Sequence, residues 1–248
     1  MKKKVVLIIP TYNEEANIEK TIHTAFSACK DILDKCIHIL IFDSDSQDRT
    51  ATIVSQLQSQ YSMLHLQVEP KKTGLGSAYR QAMQYALNVL NADFIVEFDA
   101  DLSHPPAYLP EMLSLIEDYD VVFGSRYVLN GGINANWPWY RLWLSKLGNY
   151  VARFFLVWKY RDFTSGFRVT RGELLKKVLP THFISNHYAY KIELMWLLIQ
   201  NGAKILEYPF VFIDRTFGES KLPKNTIFDS LRVVFLLRLR KILGCFLR

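Results

Sequence analysis

The sequence predicts an α/β fold in which a mostly parallel sheet is covered by helices on both faces. Short apolar runs rich in β-branched residues alternate with segments of helical period through the first half of the chain. That alternation is typical of strand–helix–strand units, whose crossover helices cover both faces of a parallel sheet. The chain has 248 residues, half of them hydrophobic, which is enough for one domain with a large core.

The first three strands and helices follow in strict alternation. The run 5–9 is wholly aliphatic and is closed by Pro10, and strands are also predicted over 36–42 and 63–68. Helical periodicity follows each of these strands, over 14–28, 50–61 and 77–90. Gly74 and Gly76 precede the third helix, where we expect a tight turn rather than a dinucleotide fingerprint, because Tyr79 stands at the third glycine position.

The fourth strand, 93–98, is short, β-branched and aromatic, and a helix follows the prolines at 105 and 106 before a fifth strand at 120–124. After about residue 130 the alternation stops. The segment 136–160 predicts one or two helices rich in Trp and Tyr, and 163–169 predicts a glycine turn. A helix over 188–201, ended by Gly202, and a strand over 205–213 complete this part.

The last segment, 226–248, predicts a basic amphipathic helix appended to a domain of residues 1–225. Its apolar side chains recur at three- or four-residue steps and are Phe228, Leu231, Phe235, Leu239, Ile242 and Phe246. Such a helix either lies in the interface of an anionic membrane or packs on the sheet with its arginines in water. The aromatic cluster of Trp137, Trp139, Tyr140 and Trp143 leaves the same choice between a membrane interface and a core.

Bulk composition limits the partners and the compartment. The net charge of +6 suits nucleic acid, an acidic membrane surface or a phosphate-bearing substrate. Cys29, Cys36 and Cys245 form no C-x-x-C pair, which argues against a zinc site or a disulfide framework and favours a reducing compartment. The sequence has no apolar run of about 18 residues. We therefore expect a cytoplasmic protein that contacts the cytoplasmic face of a membrane peripherally.

Two carboxylates, Asp99 and Asp101, follow the fourth strand where it leaves the sheet. Alone, this pair fits a solvated acidic turn as well as a metal site. Polar residues also follow the first three strands, at 11–14, 43–46 and 71–72. Because ligands bind at the carboxyl edge of such sheets, the four segments together predict a nucleotide site with Mg²⁺ or Mn²⁺ held by the two carboxylates.

At these positions the sequence resembles glycosyltransferase family 2, and within it the polyprenol-phosphate (dolichol-phosphate) mannosyltransferases. The resemblance extends over about residues 4–225. Its main segments are I-P-T-Y-N-E at 9–14, G-L-G-S-A-Y at 74–79, D-A-D-L-S-H-P at 99–105, G-S-R-Y at 124–127 and G-E-S-K-L at 218–222. The arginine segment and the last one are the more specific to that branch.

The resemblance implies a GT-A-type fold and an inverting transfer of a hexose from a nucleotide sugar to a lipid monophosphate. It implies that the donor is bound by Pro10, Tyr12, Glu14, Ser44, Lys72, Asp99, Ala100, Asp101, Arg215 and Lys221. It assigns the metal to Asp99 and Asp101, the acceptor phosphate to Arg126, Arg141 and Ser145, and catalysis to Asp99, Asp101 and Arg126. We nominate no general base, and His104 is expected to be a loop or helix-cap residue.

One departure from the family pattern bears on the donor. The family usually has Asp-Asp-x-Ser after the second strand, whereas this chain has Asp43-Ser44-Asp45-Ser46. Ser44 stands where a carboxylate commonly reads the donor base, so GDP-mannose is the first expectation and a UDP-sugar such as UDP-glucose the second. A catalytically idle subunit that binds a nucleotide sugar or a lipid phosphate is a further alternative. No nucleic-acid partner is expected, because an acidic metal site lies among the basic and aromatic residues.

Overall fold

The computed structural model describes residues 2–134, 137–213 and 225–244. The strands are β1 (Lys3–Thr11), β2 (Lys35–Asp43), β3 (Leu64–Val68), β4 (Phe94–Glu97), β5 (Val121–Ser125), β6 (Gly132–Asn134), β7 (Arg168–Arg171), β8 (Ile205–Pro209) and β9 (Val211–Ile213). The helices are α1 (Ile18–Cys29), α2 (Thr50–Leu57), α3 (Leu75–Asn88), α4 (Leu109–Leu115), α5 (Trp139–Phe155), α6 (Gly172–Val178), α7 (Tyr190–Gln200) and α8 (Thr226–Ile242).

Seven of the described strands form one sheet in the order β3-β2-β1-β4-β7-β5-β8, and β6 pairs with β9 in a separate two-stranded ribbon. Within the large sheet β7 is antiparallel to both of its neighbours, and the other pairings are parallel. Helices pack on both faces, over two hydrophobic cores. The predicted mostly parallel α/β fold is therefore confirmed.

Strand β1 shows why its sequence is a continuous apolar run. Val6 and Ile8 belong to the core on one face of the sheet, whereas Val5, Leu7 and Ile9 belong to the core on the other. All five side chains are fully buried. Successive side chains of a strand point to opposite faces, so a central strand that is covered on both sides needs an apolar residue at every position.

Strand β7 was not predicted, because its sequence Arg-Val-Thr-Arg lacks an apolar run. Arg168 is nevertheless buried, and its guanidinium donates to Glu97 of β4 through Nε (2.5 Å to Oε2) and Nη2 (2.9 Å to Oε1). At the other end, Arg171 donates to the backbone carbonyls of Ile116, Glu117 and Tyr119. These paired arginines make a polar sequence compatible with a buried strand.

The single strand predicted over 205–213 is two strands in the structure. β8 pairs with β5 in the large sheet, and β9 pairs with β6 in the ribbon. The chain leaves the sheet at Pro209, which has no N–H to donate to a ladder. The predicted helix at 14–28 begins only at Ile18, so that Glu14 stays in a loop, where its N–H donates to Thr50 Oγ1 at 2.9 Å.

The pair His38–His65 on β2 and β3 predicts a pH dependence of stability. Their nitrogens, Nδ1 of His38 and Nε2 of His65, lie 2.8 Å apart. Burial, the neighbouring His65 and Lys4 lower the pKa of His38 from 6.5 to about 4, and burial also lowers the pKa of His65. The neutral form is therefore favoured by folding, and its contribution to stability is lost as the pH falls from about 6.5 to about 4.

We expect urea unfolding to show an extra loss of about 2 kcal/mol between pH 7.5 and pH 5.0 that the variant His38→Gln/His65→Gln lacks. The exposed His182→Asn is the matched control and should behave like the unchanged protein. An identical pH dependence in the double variant and in the unchanged protein would refute the assignment.

Candidate active site

A cavity of about 900 Å³ lies at the carboxyl edge of the parallel strands. The predicted site residues that the structure describes all line it. They are Pro10, Tyr12, Glu14, Ser44, Lys72, Asp99, Ala100, Asp101, Arg126, Arg141 and Ser145. The predictions for Arg215 and Lys221 lie outside the described residues. The structure therefore brings together in one cavity residues that are up to 135 positions apart in sequence, whereas the individual roles stay predictions.

The loops after β1 and β2 form one end of the cavity and are held by Asp43. Its carboxylate accepts hydrogen bonds from Thr11 Oγ1 (2.8 Å), Ser46 N (2.9 Å) and Ser46 Oγ (2.6 Å). Ser44 is buried, and its N–H donates to the carbonyl of Thr11 at 2.9 Å. Across the cavity edge, Lys72 Nζ lies 3.2 Å from the centre of the Tyr12 ring. This end presents an aromatic face, a cation and a small hydroxyl.

The acidic pair lies directly beyond β4. Asp99 Oδ1 accepts a hydrogen bond from Tyr79 Oη at 3.4 Å, and Asp101 Oδ1 accepts one from the backbone N–H of Ser103 at 3.1 Å. Leu102, the residue after Asp101, has a positive φ of 61°, a left-handed conformation that turns the chain sharply after the pair. Both aspartates face the same cavity.

This pair fits a hard divalent cation of the Mg²⁺ type. Among the described residues there is no cluster of three or more His, Cys, Asp and Glu side chains placed to hold a metal. Magnesium, however, is commonly held by one or two carboxylates together with substrate phosphates, because it keeps part of its water shell. Two carboxylates that open into a cavity of this size match that mode of binding.

His104 packs against the loop that carries Asp99 and Asp101. It is buried, stacks on Phe167 with ring centres 5.1 Å apart, and accepts a hydrogen bond at Nδ1 from the backbone N–H of Asp99 (3.4 Å). Its Nε2 lies 3.6 Å from Asp99 Oδ2. Burial lowers the pKa of His104 below its usual value, so the ring is neutral near pH 7 and its proton is on Nε2, facing Asp99.

Arg126 follows β5 and is held by a buried carboxylate. Its Nε and Nη2 each lie 2.7 Å from an oxygen of Asp162, and Nη2 also donates to Thr164 Oγ1 at 2.6 Å. Burial disfavours the charged forms of both Arg126 and Asp162, but the attraction between them at this distance is stronger than that effect. The pKa of Arg126 is therefore raised and the pKa of Asp162 is lowered. The guanidinium is a fixed, fully charged group at the cavity wall.

The first turns of α5 bring the other two predicted acceptor residues to the same wall. Arg141 stacks on Trp137, with Cζ 3.9 Å from the ring centre. Ser145 Oγ lies 2.7 Å from the hydroxyl of Tyr127, the residue after Arg126. Further along α5, Asn149 accepts a hydrogen bond from the N–H of Phe163 (2.7 Å), which ties this helix to the loop that holds Arg126.

The remaining wall of the cavity is apolar and is built by two helices. Leu144, Leu147 and Val151 of α5 face Leu231 and Val234 of α8 across it. A second groove of about 380 Å³ lies next to it between the same helices, lined by Val151, Phe155, Leu231, Arg232, Val234 and Phe235. The cavity thus has one charged end and one apolar side.

The apolar stripe predicted on α8 points outward in the structure. The helix packs on the core through Val233, Val234 and Leu237, which are buried. The stripe residues within the described part are exposed: Phe228, Leu231, Phe235, Leu239 and Ile242. The helix therefore packs on the domain through one face and leaves the predicted stripe exposed, whereas the membrane contact stays a prediction. Phe246, the last predicted member of the stripe, lies outside the described residues.

Helix α5 continues this exposed apolar area. The α5–α8 surface consists of the stripe residues of α8 together with the exposed Trp139, Tyr140, Trp143, Leu144, Leu147, Tyr150 and Phe154 of α5. An exposed patch of this kind marks an interaction site with a protein or a membrane. No helix in the parts of the chain that the structure describes is long and apolar enough to cross a bilayer.

Sequence reasoning missed Lys191, which lines the cavity from α7. Its ammonium lies 3.9 Å from Asp99 Oδ2. A signal was present in the sequence: Lys191 stands near the start of the predicted helix 188–201, most of whose residues are apolar. A lysine is seldom fully buried without a partner, so its place in such a helix indicates a site.

The Arg126–Asp162 pair yields a stability prediction. Asp162→Asn removes the counter-ion and leaves the guanidinium buried, so we expect the free energy of unfolding to fall by about 3–5 kcal/mol. Urea denaturation measures it, and Lys3→Gln, which breaks an exposed ion pair with Glu117, should lose at most about 1 kcal/mol. Arg126→Met added to Asp162→Asn should recover part of the loss. A fall no larger than that of the control would contradict a structural pairing.

Comparisons with known proteins identify the family of the chain. The family model described as glycosyl transferase family 2 matches residues 6–179. Polyprenol monophosphomannose synthase of Mycolicibacterium smegmatis is 35% identical over 231 residues, 92% of this chain and 84% of the relative. Dolichol-phosphate mannosyltransferase of Pyrococcus furiosus is 36% identical over 235 residues, which are 94% of this chain but 63% of that longer relative.

A solved structure confirms the predicted fold class. The mannosyltransferase of Pyrobaculum calidifontis, in complex with GDP-mannose and Mn²⁺, superposes with a TM-score of 0.58 at 15% identity, over 98% of this chain and 75% of that one. A GT-A-like α/β fold, the family match and the sequence relatives agree with one another. The chain belongs to glycosyl transferase family 2 and is a glycosyltransferase similar to the polyprenol-phosphate mannosyltransferases.

Proposed function

We propose that this enzyme transfers mannose from GDP-mannose to a polyprenyl or dolichyl monophosphate, with inversion at the anomeric carbon and with Mg²⁺ or Mn²⁺. The observation that carries the proposal is the single cavity of about 900 Å³. It joins an acidic pair, a fixed arginine and an apolar wall that continues into the exposed α5–α8 surface. A nucleotide sugar suits the polar end of that cavity, where the acidic pair lies. A lipid phosphate needs the arginine for its phosphate and the apolar wall for its prenyl chain.

The donor belongs at the end formed by the loops after β1 and β2. Tyr12 offers a flat face for a nucleoside, with the ammonium of Lys72 above it, and Pro10 and Glu14 complete that wall. A divalent cation on Asp99 and Asp101 would supply Lewis-acid stabilisation of the charge that develops on the leaving diphosphate. Ala100, whose side chain is small and buried, lets the loop approach the donor closely.

The acceptor phosphate belongs beside Arg126, Arg141 and Ser145. A phosphate oxygen attacks the anomeric carbon, the bond from that carbon to the diphosphate oxygen breaks, and the electron pair leaves with the nucleoside diphosphate. Near pH 7 a phosphate monoester is already an anion, so the attack requires no general base. The site residues therefore position the phosphate and offset its charge, for which arginine forks are well suited.

The α5–α8 surface supports a peripheral contact with a membrane. Its exposed aromatic and aliphatic side chains are accompanied by cations such as Lys146, Arg232 and Lys241, the combination that binds an anionic bilayer surface. Leu144, Leu147 and Leu231 belong both to this surface and to the wall of the cavity. A prenyl chain would pass along them from the bilayer to Arg126.

Ser44 decides how the donor base is read. Ser44 is buried, and its hydroxyl would hydrogen-bond a base at this position without contributing a charge. The names of the two sequence relatives favour mannose, and a structural relative was solved with GDP-mannose. GDP-mannose is therefore the proposed donor, and a UDP-sugar is the alternative that the next experiment separates.

We expect the purified protein to transfer mannose from GDP-mannose to polyprenyl phosphate when Mn²⁺ or Mg²⁺ is present, and to stop when EDTA is added. Asp101→Asn should lower kcat by at least about 100-fold, because the diphosphate loses its cation site. The exposed Asp118→Asn is the control and should keep full activity. Radiolabelled product is extracted into organic solvent and counted.

The same assay is run with UDP-glucose and other UDP-sugars. Transfer from a UDP-sugar in place of GDP-mannose would keep the chemistry and reassign the donor. Full activity of Asp101→Asn would refute the metal assignment. Binding of nucleotide sugar without transfer from any donor would indicate the idle subunit.

The membrane contact has its own test. The protein should float with liposomes rich in phosphatidylglycerol, and Phe228→Ser/Phe235→Ser should weaken that partition at least tenfold, since burial of one phenylalanine contributes about 1.5–3 kcal/mol. Leu33→Ser/Leu129→Ser removes two apolar residues elsewhere that are at least as exposed, and it should leave the partition unchanged. Equal flotation of both double variants would show that α8 is not the contact.

A further inference from the structure

Lys191 is a buried cation beside the acidic pair, and the roles proposed above do not include it. Its side chain is 7% exposed, and its ammonium lies 3.9 Å from Asp99 Oδ2. The stem projects from the first turn of α7, and the ammonium lies 5.7 Å from the ring centre of Tyr188. A buried ammonium requires a nearby anion, because its desolvation is otherwise uncompensated.

Gly166 makes the room for this side chain. A Cβ at that position would lie 2.2 Å from Lys191 Nζ and 2.7 Å from Cε. Its φ lies outside the left-handed range, so a side chain at this position would disturb the packing of the lysine and not the backbone. A larger residue there would displace the end of the Lys191 side chain, which lies between α7 and the loop before β7.

The other buried cations of this region have carboxylates of their own. Arg126 is bound by Asp162, and Arg168 is bound by Glu97. The carboxylate that pairs with Lys191 is Asp99, the same group that is proposed to bind the divalent cation. When Asp99 serves that cation, the charge of Lys191 needs a different anion, and the diphosphate of the donor is the anion that would lie there.

We infer that Lys191 is a positioning residue for the donor diphosphate, which holds Asp99 in place in the empty site and pairs with the diphosphate in the loaded one. This inference rests on the proposed function. A lysine suits such an exchange, because its ammonium is a compact point charge on a flexible stem with three donors, whereas an arginine fork is bound to one geometry.

Two opposite effects follow from removing the charge. Lys191 repels a divalent cation on Asp99, so Lys191→Met should bind Mn²⁺ about tenfold more tightly in the absence of donor. The same variant loses the counter-charge for the diphosphate, so its kcat should fall at least about tenfold. A substitution that merely loosened the fold would lower both the Mn²⁺ affinity and kcat.

The experiment measures Mn²⁺ binding to the full chain by electron paramagnetic resonance, and transfer kinetics in parallel. Lys191→Arg keeps the charge and should retain the Mn²⁺ affinity of the unchanged protein, with kcat above that of Lys191→Met. The KM for polyprenyl phosphate should stay unchanged in Lys191→Met, since the acceptor residues are untouched. Thermal unfolding of each variant verifies that it is folded.

Gly166→Ala provides a second, independent arm. It displaces the ammonium without removing it, so Gly166→Ala alone should lower kcat. Added to Lys191→Met, it should cause no further loss of kcat. Additive losses would show that the glycine acts by some other route.

An unchanged Mn²⁺ affinity together with an unchanged kcat in Lys191→Met overturns the inference, as does an unchanged protein that binds no Mn²⁺. Failure of the proposed function looks different. In that case the unchanged protein binds Mn²⁺, Lys191→Met binds it more tightly, and neither transfers a sugar from any donor.

Discussion

The buried pair between Glu97 and Arg168 is the interaction on which the architecture of the site depends. It joins the last residue of β4 to the first residue of β7, and Tyr190 also donates to Glu97, at 3.0 Å. A buried ion pair contributes little net stability compared with an apolar pair of the same volume, because its desolvation offsets its attraction. The pair instead fixes one register of β7 against β4, two residues before Asp99.

The reversed direction of β7 has a direct consequence for the chemistry. In an all-parallel sheet, the loop before a strand lies at the opposite edge from the ligand. Because β7 is antiparallel, the loop before it reaches the carboxyl edge, where it delivers Asp162 to Arg126 and Gly166 to Lys191. The single contact between Glu97 and Arg168 therefore positions two parts of the site. These are the acidic pair and the loop that orders Arg126 and Lys191.

Sequence reasoning succeeded where local pattern and burial agree, and failed where distant residues compensate for one another. The aliphatic run of β1 is required by burial on both faces, so it was predictable. Strand β7 was not, because its arginines are tolerated only through Glu97 and backbone carbonyls far along the chain. The period of α8 was read correctly, but period alone does not say which face packs, and Val233, Val234 and Leu237 turned out to pack inward. The site motifs predicted which side chains meet, whereas the partner of Lys191 depends on tertiary structure.

Charge balance in the cavity explains why the proposed reaction requires an added cation. Arg126 is paired with Asp162 and Lys191 with Asp99 before any substrate binds. These two cations therefore offer little surplus positive charge to a donor diphosphate and an acceptor phosphate together, and the two anions repel each other at close range. A divalent cation held by Asp99 and Asp101, as proposed, would supply positive charge at that end and would release Lys191 from Asp99. On this proposal Arg126 and Lys191 are paired with carboxylates before any substrate binds, and the cation and the donor would favour each other's binding.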